Sequence, residues 1–165
     1  MRLVLFFSLI VSLILPCSLS AESEYPEKGQ DIYDTKVDGA SLIAEGVKAA
    51  NMGDKRVLLD FGANWCPWCR QLHKLMAEDP AISKELAAHY VVVMIDVNTR
   101  KGVKRNGSIN SHYGNPTKEG LPVLVLLERT GKPLTTQETG AFESGDSYDS
   151  AKFLAFLEKW RAPAK

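Results

Sequence analysis

Hydrophobic positions along this chain change their period several times, and each change marks an element. From Asp38 onward, Leu42, Ile43, Val47 and Ala50 recur at helical spacing. Asp38 or Ser41 serves as cap, and the helix ends near Asn51-Met52-Gly53. Val57 to Phe61 reads as a short buried strand. Cys66 to Glu78 reads as a helix with Leu72, Leu75 and Met76 on one side. Asp79-Pro80 opens another, since proline suits a first helical turn, and Ile82, Leu86 and Ala87 carry it to His89. Tyr90 to Val97 is a continuous apolar run rich in β-branched residues, the pattern of a strand covered on both faces. Pro122 to Glu128 is the next strand, Arg129-Thr130-Gly131-Lys132 a hairpin turn, and Leu134 to Gly140 the antiparallel return. Tyr148 to Trp160 closes the chain as an amphipathic helix whose inner stripe is Phe153, Phe156, Leu157 and Trp160.

Strands joined by helices, then a hairpin and a last helix, predict an α/β fold with a central mixed sheet flanked by helices on both sides. Two stretches stand outside this pattern. Residues 22–37 are polar and contain Pro26 and Gly29, which predicts a loosely held, flexible N-terminal segment. Asn98 to Gly120 is polar and rich in glycine and asparagine; it reads as a long loop, and loops of that length in compact domains usually carry function.

The N-terminus has a different character. Met1-Arg2 precedes a run from Leu3 to Leu15 that is apolar except for Ser8 and Ser12. Pro16 breaks it, and Ser18-Leu19-Ser20-Ala21 follows. This predicts a secretory signal peptide over residues 1–21, with cleavage after Ser20 or Ala21. The run falls short of the roughly 20 apolar residues of a spanning anchor. Pro16 argues against lipid modification of Cys17. Export follows as the expectation, to the periplasm first and to an extracellular or membrane-tethered state second.

What remains is one domain, expected over residues 38–162. The chain carries 20 Lys+Arg and 20 Asp+Glu. That balance gives no reason to expect nucleic acid or an anionic membrane surface as partner. Of three cysteines, removal of the signal leaves Cys66 and Cys69. One closely spaced pair does not make a disulfide-stapled scaffold.

The pair lies in Trp65-Cys66-Pro67-Trp68-Cys69, directly after the strand that contains Asp60. Two thiols at that spacing can close a small disulfide ring and reopen it. A cysteine at a helix start faces unpaired N–H groups and the positive end of the dipole, which favour thiolate. Thiolate is the form that attacks disulfides. A metal half-site or a structural disulfide is the alternative reading. Zinc needs about four ligands, and His73 with His89 or His112 would have to complete them. Covalent haem is excluded because Arg70 stands where C-x-x-C-H needs histidine. Pro67 suits a first turn but removes one donor from the thiolate. Trp68 either stacks on substrate or shields Cys69. Arg70, His73 and Lys74 are expected to be solvated, and His112 and Tyr113 are open candidates for substrate contact.

Strand, Asp60-Phe61, Trp65-Cys66-x-x-Cys69, helix, and a later Gly120-Leu121-Pro122 before an apolar strand together resemble the thioredoxin superfamily. The resemblance covers roughly Asp38 to Trp160. It departs from cytosolic thioredoxin in the Pro67-Trp68 dipeptide and in the longer separation of Cys69 from Pro122. It implies a three-layer thioredoxin-like fold, Cys66 as attacking thiolate, and Cys69 as resolving thiol. Asp60, which could simply turn to solvent at a strand end, becomes the buried acid beneath the pair and a third catalytic residue. Pro122 becomes the family's cis-proline, and Trp65, Pro67, Trp68, Leu121 and Pro122 line the substrate surface.

The resemblance thus implies a thiol–disulfide oxidoreductase that needs no cofactor or metal, because electrons travel in the cysteines. The leading expectation is an exported reductase, probing protein thiols and disulfides as a monomer and fed by a membrane-bound electron donor. An oxidase or isomerase is the second reading. A binding or chaperone module that scarcely uses its cysteines is the third.

Overall fold

The computed structural model describes residues 23–163; the expected signal peptide at residues 1–21 lies outside them. Helix α1 (Gly39–Met52) begins where Asp38 accepts the Ser41 backbone N–H, an N-cap of the kind its sequence announces. Strand β1 (Arg56–Gly62) follows, then α2 (Pro67–Glu78), α3 (Pro80–His89) and β2 (Tyr90–Asp96). A short α4 (Gly107–His112) interrupts the long connection to β3 (Val123–Leu127). Strand β4 (Pro133–Glu138), a two-residue pair β5 (Glu143–Ser144) and β6 (Ser147–Tyr148), and α5 (Ser150–Lys159) complete the chain. Asp79 and Asp149 cap α3 and α5.

The main sheet runs β2-β1-β3-β4, with β1 parallel to β2 and antiparallel to β3. Its two faces separate by the period of two that strands impose. Val57, Leu59 and Phe61 pack with Ile95, Val125 and Leu127 beneath α1 and α4. Leu58, Leu124 and Leu126 pack against Leu72 and Met76 of α2, Ile82 and Leu86 of α3, and Phe153, Phe156 and Leu157 of α5. The sheet is therefore the middle of three layers, as the α/β expectation requires. Asp60 has the parity of Leu58, so it points to the layer that carries the cysteine helix.

Three sequence expectations are corrected. The segment ahead of α1 is not loosely held: Tyr25 and Tyr33 are buried in it, the Glu24 carboxylate accepts from Arg105, and the Ile32 backbone N–H donates to Asn64. Its polar composition hid two aromatic anchors. Residues 98–120 are not a plain loop, since they form α4 and a 3-10 turn at Pro116–Glu119. Tyr148 belongs to β6, and the last helix starts at Ser150.

The root of the 98–120 excursion is held by a charge cluster. Arg105 Nη1 donates at 2.8 Å to both Asp96 Oδ2 and Glu24 Oε2. Asn106 bridges the Asp96 carbonyl and the Gly39 N–H. The Asp96 side chain is only 1% exposed, so its charge depends on the guanidinium. Removing one partner of a buried pair leaves the other uncompensated. Arg105→Ala is therefore expected to cost about 3 kcal/mol in urea unfolding at neutral pH. A loss below about 0.5 kcal/mol, the ordinary size of a surface pair, would show that the cluster does not hold the segment.

Candidate active site

Strand β1 delivers the chain to Gly62, and residues 63–65 turn it into α2. Cys66 is the N-cap of that helix, with Sγ accepting the Cys69 backbone N–H at 3.1 Å. A sulfur in this position takes the place of the oxygen that usually caps a helix, and it faces the positive end of the dipole. Cys66 and Cys69 are joined as a disulfide with their Cα atoms 5.3 Å apart. Cys66 is 3% exposed and Cys69 fully buried. The two sulfurs therefore have unlike surroundings before any substrate arrives.

Leu121–Pro122 is a cis peptide bond, and the Leu121 carbonyl oxygen lies 3.7 Å from Cys66 Sγ. Of the residues expected at the substrate surface, Pro67 is exposed, Trp65, Trp68 and Leu121 are half-buried, and Pro122 is buried. Trp65, Trp68 and Leu121 all border the cysteine pair. The Trp68 ring meets Tyr148 edge-on at 5.1 Å, so much of it packs inward beside the cysteines. Trp65 donates its indole N–H to Asn98 at 2.9 Å, and the Arg100 guanidinium lies 3.4 Å from its ring centroid.

Other expected candidates fall elsewhere. Tyr113 packs edge-on against Phe61 on the opposite face of the sheet, and His112 meets Tyr113 edge-on. Arg70 is not simply solvated: its guanidinium donates to the carbonyls of Asn64 and Gln30 at 2.9 Å each. Lys74 pairs with Glu78 on the exposed side of α2.

Beneath the pair, Asp60 is completely buried. Its cross-strand neighbours are Met94 and Leu124, neither of which can answer a charge. Oδ1 accepts a hydrogen bond from the Tyr33 hydroxyl at 3.1 Å, and Oδ2 has no partner. Burial raises the carboxyl from 3.8 to about 7, with the Tyr33 hydrogen bond acting in the opposite sense. Burial, followed by the adjacent carboxylate, likewise lifts the Tyr33 phenol well above its usual value.

Three residues of this centre were not foreseen from the sequence: Tyr33, Gly62 and Asn64. Asn64 is fully buried. Its Oδ1 accepts the backbone N–H groups of Ile32 (2.8 Å) and Tyr33 (2.9 Å), and its Nδ2 donates to the Tyr33 carbonyl at 2.9 Å. This replaces strand pairing for a segment that has none. At Gly62, a side chain would run into the Tyr33 hydroxyl and come within 2.9 Å of Cys69 Sγ. Glycine is needed there for close approach. The one available sequence signal was the pair of apolar residues Ile32-Tyr33 inside an otherwise polar run.

The raised Asp60 carboxyl has a consequence for stability with a definite sign. Between about pH 4 and 7 the folded state holds a proton that the unfolded state has released, so stability falls as pH rises through that window. Asp60→Asn removes the penalty. It is expected to stabilise the fold at pH 8 by up to about 4 kcal/mol, with the gain vanishing near pH 4. Thermal unfolding of both proteins across that range checks the sign.

Known proteins resemble this arrangement at several levels. The thioredoxin-like domain family matches residues 43–158. The thiol:disulfide interchange protein DsbD of Colwellia psychrerythraea is 31% identical over 142 residues, covering 85% of this chain. The chain spans about a fifth of that relative's length (22%). The crystal structure of a disulphide isomerase from Xylella fastidiosa superposes with a TM-score of 0.69 at 29% identity, over 79% of this chain and 96% of that one. A thioredoxin from Thermus thermophilus shares the fold, with a TM-score of 0.51 at 24% identity over 70% of this chain and 81% of its own. With its sheet as the middle of three layers and its cysteine pair at the start of α2, the chain belongs to the thioredoxin-like domain family.

Proposed function

We propose that this chain is an exported reductase of protein disulfides, working through a Cys66–Cys69 dithiol/disulfide cycle. The observation that carries the reading is the disulfide at the α2 N-terminus above a buried carboxyl whose Oδ2 lacks a partner. In the reduced protein, the Cys66 thiolate attacks one sulfur of a substrate disulfide. A mixed disulfide forms, and the other substrate sulfur leaves as thiolate. Cys69 then attacks Cys66 Sγ, the mixed disulfide breaks, and the second substrate sulfur leaves. Two electrons have passed to the substrate, and the ring between Cys66 and Cys69 has closed. Asp60 accepts the Cys69 proton, a role suited to a carboxyl that titrates near neutrality.

The remaining residues serve substrate placement. The Leu121 backbone, next to Cys66, pairs with an extended peptide in the manner of strand addition. Trp65, Pro67, Trp68 and Pro122 frame the approach. Kinship with thiol:disulfide interchange proteins supports protein thiols as substrates and a membrane-bound donor that reduces the pair again. The apolar run at residues 3–15 supports export to the periplasm. Among the described residues, no helix is long and apolar enough to cross a membrane.

The likeness to a disulphide isomerase favours a second reading, in which the pair shuffles disulfides. The reduction potential separates the two. Equilibration against dithiothreitol and glutathione buffers is expected to place the pair near the thioredoxin end of the scale, about −270 mV. A value of about −180 mV, that of protein disulfide isomerase, would favour the shuffling reading. One of about −120 mV, that of a strong oxidant, would likewise overturn the reductase direction. Cys66→Ser is expected to abolish turnover, and Cys69→Ser to trap a mixed disulfide with substrate. If both variants kept full activity, the redox reading itself would fail.

A further inference from the structure

Tyr33 is the unexplained member of the redox centre. It lies 27 residues before Asp60 and belongs to the segment ahead of α1, yet it is only 1% exposed and packs with Cys66 and Cys69 in one small cluster. Its backbone is gripped on both sides by Asn64, two residues before Cys66. Its hydroxyl approaches Gly62 from one direction, and Cys69 Sγ approaches the same glycine from another. Packing alone explains a buried aromatic ring there. It does not explain why the ring carries a hydroxyl aimed at a completely buried carboxylate.

The surroundings of Asp60 sharpen the point. From β2 and β3 it meets Met94 and Leu124. Among the described residues, the titratable groups that face the Tyr33–Asp60 pair are Cys66 and Cys69 on α2, Tyr148 on β6 and Asp96 on β2. None of these is a cation. The Tyr33 hydroxyl is the single hydrogen-bond donor to the carboxylate among the described residues. It occupies Oδ1 and leaves Oδ2 bare.

We infer that Tyr33 is a positioning residue for the resolving step: its hydroxyl fixes the Asp60 carboxylate so that Oδ2 faces the proton released by Cys69. The inference rests on the proposed role of Asp60 as acceptor of that proton. In the step itself, Cys69 sulfur bonds to Cys66 sulfur, the bond from Cys66 to substrate sulfur breaks, and the substrate leaves as thiolate. The Cys69 proton passes to Asp60 Oδ2, while the Tyr33 proton stays on its oxygen. Because the hydroxyl donates to the charged form of Asp60, it also makes that form easier to reach. The segment before α1 thereby becomes part of the redox centre.

Stopped-flow reaction of the reduced protein with 5,5′-dithiobis(2-nitrobenzoate) tests this. The first nitrothiobenzoate released reports attack by Cys66, and the second reports resolution by Cys69. Followed between about pH 5 and pH 9, the second phase of the natural protein is expected to rise with a midpoint near 7. Asp60→Asn should abolish that midpoint. Tyr33→Phe should move it upward by about one pH unit, the effect of losing a hydrogen bond to a charged group. The second phase should then slow about fivefold at pH 7, with the first phase unchanged. A midpoint that disappears in Asp60→Asn but does not move in Tyr33→Phe overturns the role of Tyr33 alone. A midpoint that survives Asp60→Asn overturns the proton-acceptor reading and this inference together. Uniform 3-fluorotyrosine labelling supplies a variant with an intact fold. Of the chain's five tyrosines, only Tyr33 bonds Asp60, and its more acidic hydroxyl should lower the midpoint. An unmoved midpoint there also overturns the inference.

Discussion

A carboxyl group with no access to water sits beneath the cysteine pair, and much of the surrounding structure is arranged around that burial. Asp60 lies on a central strand, hydrogen-bonded to neighbours on both sides, so its backbone has no freedom to swing the charge outward. The face it points to is otherwise apolar, from Leu58 through Leu124 to Leu72. An ionised group in such a place is costly unless it is paired. Among the described residues no cation is supplied; a single phenolic donor is. The outcome is a carboxyl poised between its two forms near neutral pH, which a paired or solvated aspartate would not be.

The disulfide adds a second asymmetry. Cys66 caps a helix, where N–H groups and the dipole favour negative charge on sulfur. Cys69, one turn on, is fully buried and crowds against Gly62, so its charged form has less support. On the proposed cycle, one sulfur is prepared to attack and the other needs a base close by. In that cycle the buried acid answers the second need and not the first. This division of labour comes from placement alone, because the two side chains are chemically identical.

The layers of the fold were legible because strands and helices bury one face each, and burial writes a period into the sequence. Leu42, Ile43, Val47 and Ala50 marked α1, and Val57 to Phe61 marked β1, close to their observed bounds. The cysteine helix, the acid beneath it and the proline facing it were legible through a motif. The segment before α1 was not. Its burial comes from partners far away along the chain: Asn64 for the backbone, Asp60 for the Tyr33 hydroxyl, and Asn98 for Tyr25. Such contacts leave no local period. The same holds for α4, whose six residues are too few to show one. Tyr148 was misplaced for a related reason: it stands just ahead of the aromatic stripe of the last helix but packs on Trp68 from a two-residue strand.

Those distant partners form two ties that meet at the cysteine loop. Arg70, just after the pair, holds the carbonyls of Asn64 and Gln30. Trp65, just before it, is held by Asn98, which also donates to Tyr25 and Glu24. The N-terminal segment is thus fastened to both flanks of the loop, and Arg105 anchors its far end through Glu24. A loop left to itself would be free to shift as its disulfide opens and closes. Here a shift must break hydrogen bonds to buried groups such as Asn64 and Asn98, each a loss of about 1–3 kcal/mol. Polar groups that are buried and fully partnered resist small displacements more than apolar packing does. The segment that composition marked as slack is therefore what holds the loop, the acid and the helix start in register.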